Sequence, residues 1–288
     1  MAIERIGVVG AGLMGAEIAL VFAQAGHSVL LADETQDRLD RAMKRLTDLV
    51  ERGKSRGQFD AAAQARIFAN LKPTLQLEDH ADRDWCIEAV FEDEAVKAGI
   101  LQRLDGICKP DCVISSNTSS ISISVLAAHV GAVRRTRFLG THFFSPVSRM
   151  KLVEVIPGFD TSEETVIAIQ ATCRTAGKEP IRVTDVVGFA VNRMLHAFWL
   201  EALRLVEEGV ATPEDIDKGC RLGLGHPVGP FELMDAVTNG LTLQVQEIMH
   251  EAYGERFLPR PILKQMVRAG REGKKSGRGW YDYPARPK

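Results

Sequence analysis

Short apolar runs alternate with helical patterns along the first half of the chain. Residues 6–9 and 28–33 are apolar runs that predict buried parallel strands. Residues 16–25 between them have a helical pattern that ends at Gly26. Further strands are predicted at 71–74, 85–90, 113–117, 138–144, 152–156 and 180–184, with helices within 39–68, at 95–104 and at 165–176. This alternation predicts a doubly wound α/β sheet.

The pattern changes after Asp185, where helices replace strands. Apolar residues recur at helical spacing through residues 189–208, at Val191, Leu195, Phe198, Ala202 and Leu205. We therefore place a boundary near Val186. The prediction is a nucleotide-binding domain at 1–185 and a smaller all-α domain at 186–288, which is long enough for a helical core.

A glycine-rich turn joins the first strand to the first helix, with the sequence Gly10-Ala11-Gly12-Leu13-Met14-Gly15. Gly10 permits the tight turn, and Gly12 removes the side chain that would block a pyrophosphate. Gly15 lets the helix pack closely on the sheet. Since the helix N-terminus then points at the phosphates, the turn predicts a Rossmann-type dinucleotide site.

Asp33 closes the second strand, 23 residues after Gly10. The dinucleotide fingerprint expects an acidic residue about 20 residues on, where it accepts hydrogen bonds from ribose hydroxyls. Because a carboxylate repels a 2′-phosphate, we predict NAD rather than NADP as the cofactor. Arg38 is the nearest guanidinium, and we interpret it as a solvated helix residue.

The composition excludes several classes of protein. A length of 288 residues with 45% hydrophobic and 26% charged residues is that of a globular protein, and a net charge of −2 gives no sign of nucleic-acid binding. Five scattered cysteines without zinc-site spacing predict no metal site and suit a reducing cytoplasm. Glu4 and Glu17 argue against a targeting segment, and no apolar run is long enough for a membrane span.

His142 and Glu154 are the most suggestive pair for chemistry. His142 lies near the end of a predicted strand, and Glu154 lies within an apolar strand, where a carboxylate is costly unless it is paired. An imidazole held by that carboxylate is the base that oxidation of a hydroxyl requires. The same spacing also fits a core histidine and an unrelated surface glutamate.

Two further polar features stand out. Residues 116–120, Ser-Asn-Thr-Ser-Ser, follow a buried strand, either as ligand-binding groups or as a capping turn for the next helix. Asn192 lies at the start of a predicted apolar helix, where a buried amide requires hydrogen-bond partners. Its side chain is predicted to cap the helix, to lie in an interface or to bind a ligand.

Together these residues resemble the L-3-hydroxyacyl-CoA dehydrogenase family, of the 3-hydroxybutyryl-CoA dehydrogenase type. The matching segments, in family order, are GAGLMG, SSNTSS, THFFSPVSRMKLVEVI, DVVGFAVNR, GHPVGPFELMD and GKKSGRGWYDY. Ser145 departs from the asparagine that is common in the family. The loop between Ser119 and His142 is about two residues longer than in some members, and residues 236–240 replace a glycine-rich turn. These departures concern the acyl-chain preference and leave the proposed base unchanged.

The resemblance implies a role for each matching residue. His142 would be the catalytic base and Glu154 its orienting partner. Ser119 would hydrogen-bond the reacting 3-oxygen, and Asn192 would help position the substrate carbonyl or His142. The cofactor contacts implied beyond the glycine turn and Asp33 are Glu92, Lys97 and Asn117, and the CoA contacts are Thr47 and Lys54. Lys54 belongs to a polar stretch at 52–57 that we expect to form an exposed tip.

The family resemblance also implies an acyl-CoA substrate and a homodimer. The helix at 189–208 has apolar residues on several faces, including Trp199, which suits a dimer interface or a monomeric helical core. Two other functions stay open: a dehydrogenase of a free hydroxy acid of the gulonate or carnitine type on the same scaffold, and a non-catalytic dinucleotide-binding protein.

Overall fold

The structure of the chain is a computed structural model that describes residues 2–57 and 60–283. It contains two compact units, Met1–Val186 and Val187–Lys288. The first unit is an α/β sheet with helices and the second is helical, so the predicted fold class is confirmed.

One sheet of eight strands organises the first unit. Its spatial order is β3-β2-β1-β4-β5-β6-β7-β8. The strands are β1 Arg5–Val9, β2 Ser28–Ala32, β3 Leu71–Thr74, β4 Trp85–Glu88, β5 Val113–Ser116, β6 Phe138–Phe143, β7 Leu152–Pro157 and β8 Glu179–Arg182. All neighbours are parallel except β6 and β7, which are antiparallel.

Helices flank this sheet. Those of the first unit are α1 Leu13–Gln24, α2 Gln36–Ser55, α3 Ala61–Asn70, α4 Glu94–Ile107, α5 Ile123–Ala127, α6 Ala132–Arg135 and α7 Glu163–Thr175, with a 3₁₀ turn at Leu77–His80. Helix α1 begins three residues before the predicted start because Gly12 is its N-cap, so the end of the glycine turn is already helical. Helix α2 continues to Ser55, so Lys54 lies in its last turn rather than on the expected tip.

Aromatic packing joins α1 to the middle of the sheet. The Phe22 ring contacts Trp85 and Phe143 edge to face, with centroid distances of 5.2 and 6.1 Å. Trp85 and Phe22 are fully buried, and the Trp85 indole donates to Ser115 Oγ at 2.9 Å. The glycine turn at the start of α1 is therefore held rigidly against the core.

The end of the first unit is anchored to α5. The Asp185 carboxylate accepts hydrogen bonds from Ser122 Oγ at 2.8 Å and from the backbone N–H groups of Ile123 and Ser124 at 2.9 and 2.8 Å. An acidic side chain at a helix N-terminus satisfies N–H groups that lack helical partners. Asp185 therefore fixes the chain just before the second unit starts.

The second unit contains a small helical core. Its helices are α8 Val191–Glu207, α9 Pro213–Gly223, α10 Pro230–Val237, α11 Asn239–Tyr253 and α12 Pro261–Arg268, with a 3₁₀ turn at Gly254–Phe257. Trp199, Leu203, Phe231, Met234 and Leu263 are buried together. None of the helices within the described residues combines the length and apolarity that a bilayer crossing requires.

Asp235 holds the C-terminal segment onto this core. Its fully buried carboxylate accepts hydrogen bonds from the backbone N–H groups of Trp280 and Tyr281, both at 3.0 Å, and from Tyr283 Oη at 2.9 Å. This contact gives a structural reason for the aspartate of GHPVGPFELMD and for the aromatic residues of the tail.

We predict that Asp235→Ala lowers the free energy of unfolding of the second unit by about 3 kcal/mol, because several buried donors lose their acceptor. Urea denaturation followed by Trp280 fluorescence measures this. Asp282→Ala is the matched control, since its ion pair with Arg278 is mostly exposed and should contribute under about 1 kcal/mol. Equal losses in the two variants would contradict the assigned role.

Candidate active site

Each of the three glycines of the turn has a different physical explanation. Gly10 has φ of +105°, and a Cβ there would lie 2.5 Å from the Ala89 carbonyl oxygen. A Cβ on Gly15 would collide with the Gly10 carbonyl oxygen. Gly12, in contrast, has no protein atom within 4 Å of its Cβ position. The protein's own packing therefore does not require Gly12, whereas a pyrophosphate lying on the turn would occupy the space.

A cavity of about 780 Å³ opens beside this turn. Its size is that of a small-molecule cofactor site. The wall includes residues 10–14 and Asp33 on one side, and the apolar side chains Leu75, Leu77, Val96 and Ile100. Apolar walls next to a carboxylate and a glycine turn fit the adenine, ribose and phosphates of a dinucleotide.

Asp33 serves both the turn and the cavity. Its Oδ2 accepts from the Ala11 N–H at 2.7 Å, and its Oδ1 accepts from the Glu34 N–H at 2.8 Å. Arg38 donates to Asp33 Oδ1 at 3.2 Å and to Glu34 Oε2 at 3.1 Å, although its side chain is half exposed. Arg38 is therefore the solvated helix residue that we expected, and it also forms ion pairs with Asp33 and Glu34.

Arg45 was missed by the sequence analysis. Its Nη2 donates to the Gly12 carbonyl oxygen at 2.8 Å and lies 3.4 Å from that of Ala11. Arg38, Arg41 and Arg45 all line the cavity from α2. Their i, i+3, i+7 spacing was the available signal, because it places them on one face of a helix.

A chain of charged contacts holds the loop after β5. The fully buried Glu88, at the end of β4, pairs with Lys97 Nζ at 2.8 Å, and Lys97 in turn pairs with Glu92 at 3.1 Å. Glu92 Oε1 accepts from Thr118 Oγ1 at 2.6 Å and from the Ser119 N–H at 2.8 Å. Glu92 and Lys97 thus have defined protein partners, and their cofactor contacts stay predictions.

The ion pair and these hydrogen bonds keep Glu92 ionised. Burial by itself would raise the pKa of Glu92, but the Lys97 ammonium and the donors of Thr118 and Ser119 outweigh it, so the pKa is lowered. Glu88 is at the centre of these charged contacts but was not singled out from the sequence. Its position in an apolar strand does not indicate that Lys97 is its partner.

Asn117 joins this loop to β6. Its Oδ1 accepts from the Phe143 N–H at 2.9 Å, and its own N–H donates to the Glu88 carbonyl oxygen at 2.7 Å. Ser119 Oγ lies 3.3 Å from Glu92 Oε1. The capping interpretation is wrong, because Ser122 is the N-cap of α5, whereas Thr118 Oγ1 accepts from the Ile121 N–H at 3.0 Å within the loop before the helix.

His142 and Glu154 form the predicted contact. They are directly opposite each other on β6 and β7, with His142 Nδ1 2.8 Å from Glu154 Oε2. His142 is 6% exposed and Glu154 is fully buried. His142 is the fifth of the six residues of β6, so it lies just before the end of the strand and not after it. An ionised carboxylate can only accept, so Nδ1 is the protonated ring nitrogen and Nε2 is the basic one.

Comparison with known proteins gives the family. Residues 5–186 match the family model described as 3-hydroxyacyl-CoA dehydrogenase, NAD binding domain, and residues 188–283 match the C-terminal domain of the same enzyme. The chain belongs to the 3-hydroxyacyl-CoA dehydrogenase family. It is an NAD-dependent oxidoreductase of that family, and the predicted cofactor is confirmed.

Similar proteins match this family member over nearly its whole length. A probable 3-hydroxybutyryl-CoA dehydrogenase of Deinococcus radiodurans is 40% identical over 97% of this chain and 100% of its own. The crystal structure of Mycobacterium tuberculosis FadB2 has a TM-score of 0.94 at 41% identity, covering 98% of this chain and 100% of that one. (S)-3-hydroxybutyryl-CoA dehydrogenase PaaH1 from Ralstonia eutropha also has a TM-score of 0.94, at 37% identity, covering 98% and 99%.

The remaining residues implied by the family lie on two helices. Thr47 and Lys54 are exposed on α2. A separation of seven residues puts them on the same face, about 10 Å apart along the axis. Asn192 is the second residue of α8, in the second unit, and is partly buried.

We predict that Asp33→Asn reduces the preference for NADH over NADPH at least ten-fold, because the charge that repels a 2′-phosphate is lost while the acceptor for the Ala11 N–H remains. The ratio of kcat/KM for the two cofactors measures this. Asp37→Asn, an exposed neighbour paired with Arg41, should leave the ratio unchanged. An unaltered ratio in Asp33→Asn would show that another group selects the cofactor.

For Glu92→Gln we predict a loss of about 1 kcal/mol in the free energy of unfolding at pH 7, a small value because a third of the side chain is exposed. The folded pKa of Glu92 is lowered, so its contribution is full above the unfolded value of about 4.3 and is lost as pH falls through the folded value. Urea denaturation at pH 7 and at a pH below 4 should show the two proteins converging at the lower pH. Glu94→Gln, with a mostly exposed side chain, is the control and should differ little from wild type at either pH.

Proposed function

We propose that this member of the family interconverts (S)-3-hydroxyacyl-CoA and 3-oxoacyl-CoA, with short chains such as 3-hydroxybutyryl-CoA as substrates and His142 as general base and acid. The observation that carries this proposal is the buried contact of 2.8 Å between His142 Nδ1 and Glu154 Oε2. The relatives named as 3-hydroxybutyryl-CoA dehydrogenases support the chain length.

The pair suits proton transfer to and from a substrate hydroxyl. With Nδ1–H donating to Glu154, the ring is held in one tautomer and Nε2 takes the hydroxyl proton. The imidazolium that results is stabilised by the Glu154 carboxylate in a site that excludes most water. NAD, when bound, supplies the acceptor for the hydride from C3. In the reverse direction, His142 returns its proton to the oxygen of the forming alcohol.

The loop after β5 supplies hydrogen-bond donors for the reacting oxygen. Ser119 Oγ is the donor on this loop, and its distance of 3.3 Å to Glu92 is long for a hydroxyl hydrogen bond. The backbone of the loop is held more tightly, through the Ser119 N–H to Glu92. Asn117 ties the loop to the residue that follows His142. Donors held in this way stabilise developing charge without reorganising.

Roles for the other family residues follow from the resemblance. Asn192 contributes to positioning the substrate carbonyl or His142. Thr47 and Lys54 bind the CoA portion, since an exposed ammonium and hydroxyl on one helix face suit an anionic, mobile group. We place the enzyme in the cytoplasm as a homodimer formed through the second unit.

The proposal predicts that His142→Gln lowers kcat for acetoacetyl-CoA reduction by at least a thousand-fold, and Glu154→Gln by about a hundred-fold, because proton transfer and its orientation are lost. NADH binding, measured by fluorescence titration, should be retained in both. His129→Gln is the matched control, since His129 is partly exposed near Glu94. Near-normal turnover by His142→Gln would refute its role as the base.

The substrate class needs its own comparison. The wild-type enzyme should oxidise NADH with acetoacetyl-CoA at least a hundred-fold more efficiently than with free acetoacetate, measured as kcat/KM. Equal efficiency would favour a dehydrogenase of free hydroxy acids. NADH binding without turnover on either compound would favour a non-catalytic dinucleotide-binding protein.

A further inference from the structure

Three of the five cysteines meet at one place in the first unit. Cys86 is the second residue of β4, Cys108 follows α4, and Cys112 precedes β5. The exposed fractions of Cys86, Cys108 and Cys112 are 0, 6 and 0%. Their Sγ atoms all lie within 4.8 Å of one another, and Cys86 and Cys108 are 3.5 Å apart. Cys108 and Cys112 are four residues apart, a spacing that zinc sites use, but Cys86 comes from a segment distant along the chain, so the cluster of three is not evident from the sequence.

The separation of the sulfur atoms suits a metal ion. A tetrahedral zinc site with Zn–S bonds of about 2.3 Å places its sulfurs about 3.8 Å apart. Cys86 Sγ and Cys108 Sγ are 3.5 Å apart, each pair of the three sulfurs is within 4.8 Å, and the cysteines are free thiols. A small inward movement of the side chains is enough to bring three sulfurs onto one ion.

A buried imidazole lies near the thiols, outside the group of three sulfurs that are within 4.8 Å of one another, so its ring must move toward them to become a fourth ligand. His80 is fully buried, its Nδ1 is 3.1 Å from the Leu77 carbonyl oxygen, and its Nε2 has no hydrogen-bond partner among the described residues. The point where a Gly7 Cβ would lie is 2.9 Å from His80 Nε2 and 3.1 Å from Cys86 Sγ. Glycine at position 7 thus makes room for this ring against the cysteines.

The hydrogen bond to Leu77 decides which nitrogen of His80 can bind a metal. A carbonyl oxygen accepts only, so Nδ1 carries the proton and Nε2 has the lone pair. Metal-binding histidines commonly donate their second N–H to a backbone carbonyl in this way.

A buried guanidinium stabilises the turn that holds two of the thiols. Arg134 donates to the carbonyl oxygens of Cys108 at 3.0 Å and Cys112 at 2.5 Å, and its Nε pairs with Asp105 at 3.0 Å. Arg134 therefore holds Cys108 and Cys112 in fixed positions beside Cys86.

We propose that Cys86, Cys108, Cys112 and His80 bind one thiophilic metal ion of the Zn²⁺ class as a structural site. As the three S–metal bonds form, the three thiols release their protons to solvent, and no electrons are transferred. The site lies at the amino ends of β4 and β5, whereas the glycine turn lies at the carboxyl end of β1. Its role is to join α4 to the sheet, and the inference does not rest on the proposed function.

Because the thiols are buried, a metal ion must bind while the chain folds, so the metal has to be supplied during production of the protein. The full-length protein should be produced in media supplemented with Zn²⁺ or with Co²⁺ and purified under reducing conditions. Metal content by mass spectrometry should be about one ion per chain. The Co²⁺ form should show the sulfur-to-cobalt charge-transfer absorption and the visible bands of a tetrahedral site.

Single substitutions test whether the metal is bound by the three clustered cysteines or by another cysteine. Cys108→Ser should lose the bound metal, whereas Cys173→Ser, a buried cysteine of α7 outside the cluster, should retain it. His80→Gln should shift the cobalt bands and weaken binding at least ten-fold. Wild-type protein without metal or cobalt bands, or equal loss in Cys173→Ser, would overturn the proposal. Unchanged bands in His80→Gln would remove His80 from the site. If Cys108→Ser does not fold, the wild-type cobalt spectrum decides alone.

Discussion

The active site depends on one cross-strand contact between an imidazole and a carboxylate. Glu154 is fully buried, and a buried carboxylate without a partner would destabilise the sheet by several kcal/mol. The antiparallel pairing of β6 and β7 provides that partner by placing Glu154 directly opposite His142. Among the described strands, the one antiparallel pairing therefore coincides with the residues that carry the proposed chemistry, and a register slip by one residue would separate them.

A series of hydrogen bonds and ion pairs connects the end of β6 to the rest of the site. Asn117 connects the backbone of β6 to the loop after β5, and Glu92 fixes that loop from the other side. Lys97 pairs with both Glu88 and Glu92, so the three groups together keep one negative charge. Hydrogen-bond donors stabilise that charge, from the Val90 N–H to Glu88 and from Thr118 Oγ1 and the Ser119 N–H to Glu92. Rigid placement of Ser119 thus depends on residues that touch no substrate.

Local features of the fold were predictable from sequence, and long-range side-chain contacts mostly were not. The glycine turn and the order of strands follow from short patterns, and the partner of Glu154 could be inferred because a buried carboxylate needs a base. The reversed direction of β7 and the contact of Arg45 with the turn depend on tertiary packing. The Cys86–Cys108 contact joins residues 22 positions apart in different elements, so no local spacing indicates it.

Asp185 has a consequence for how the chain is connected. Its carboxylate binds the first residues of α5, immediately after the loop that contains Ser119, and it stands two positions before the second unit begins. The covalent exit from the nucleotide-binding unit is therefore tethered to the end of the loop that we propose binds the reacting oxygen. A ligand that displaces this loop would also displace Asp185, which precedes the first residue of the second unit by two positions. Binding of a ligand at the loop would therefore move the point where the second unit begins.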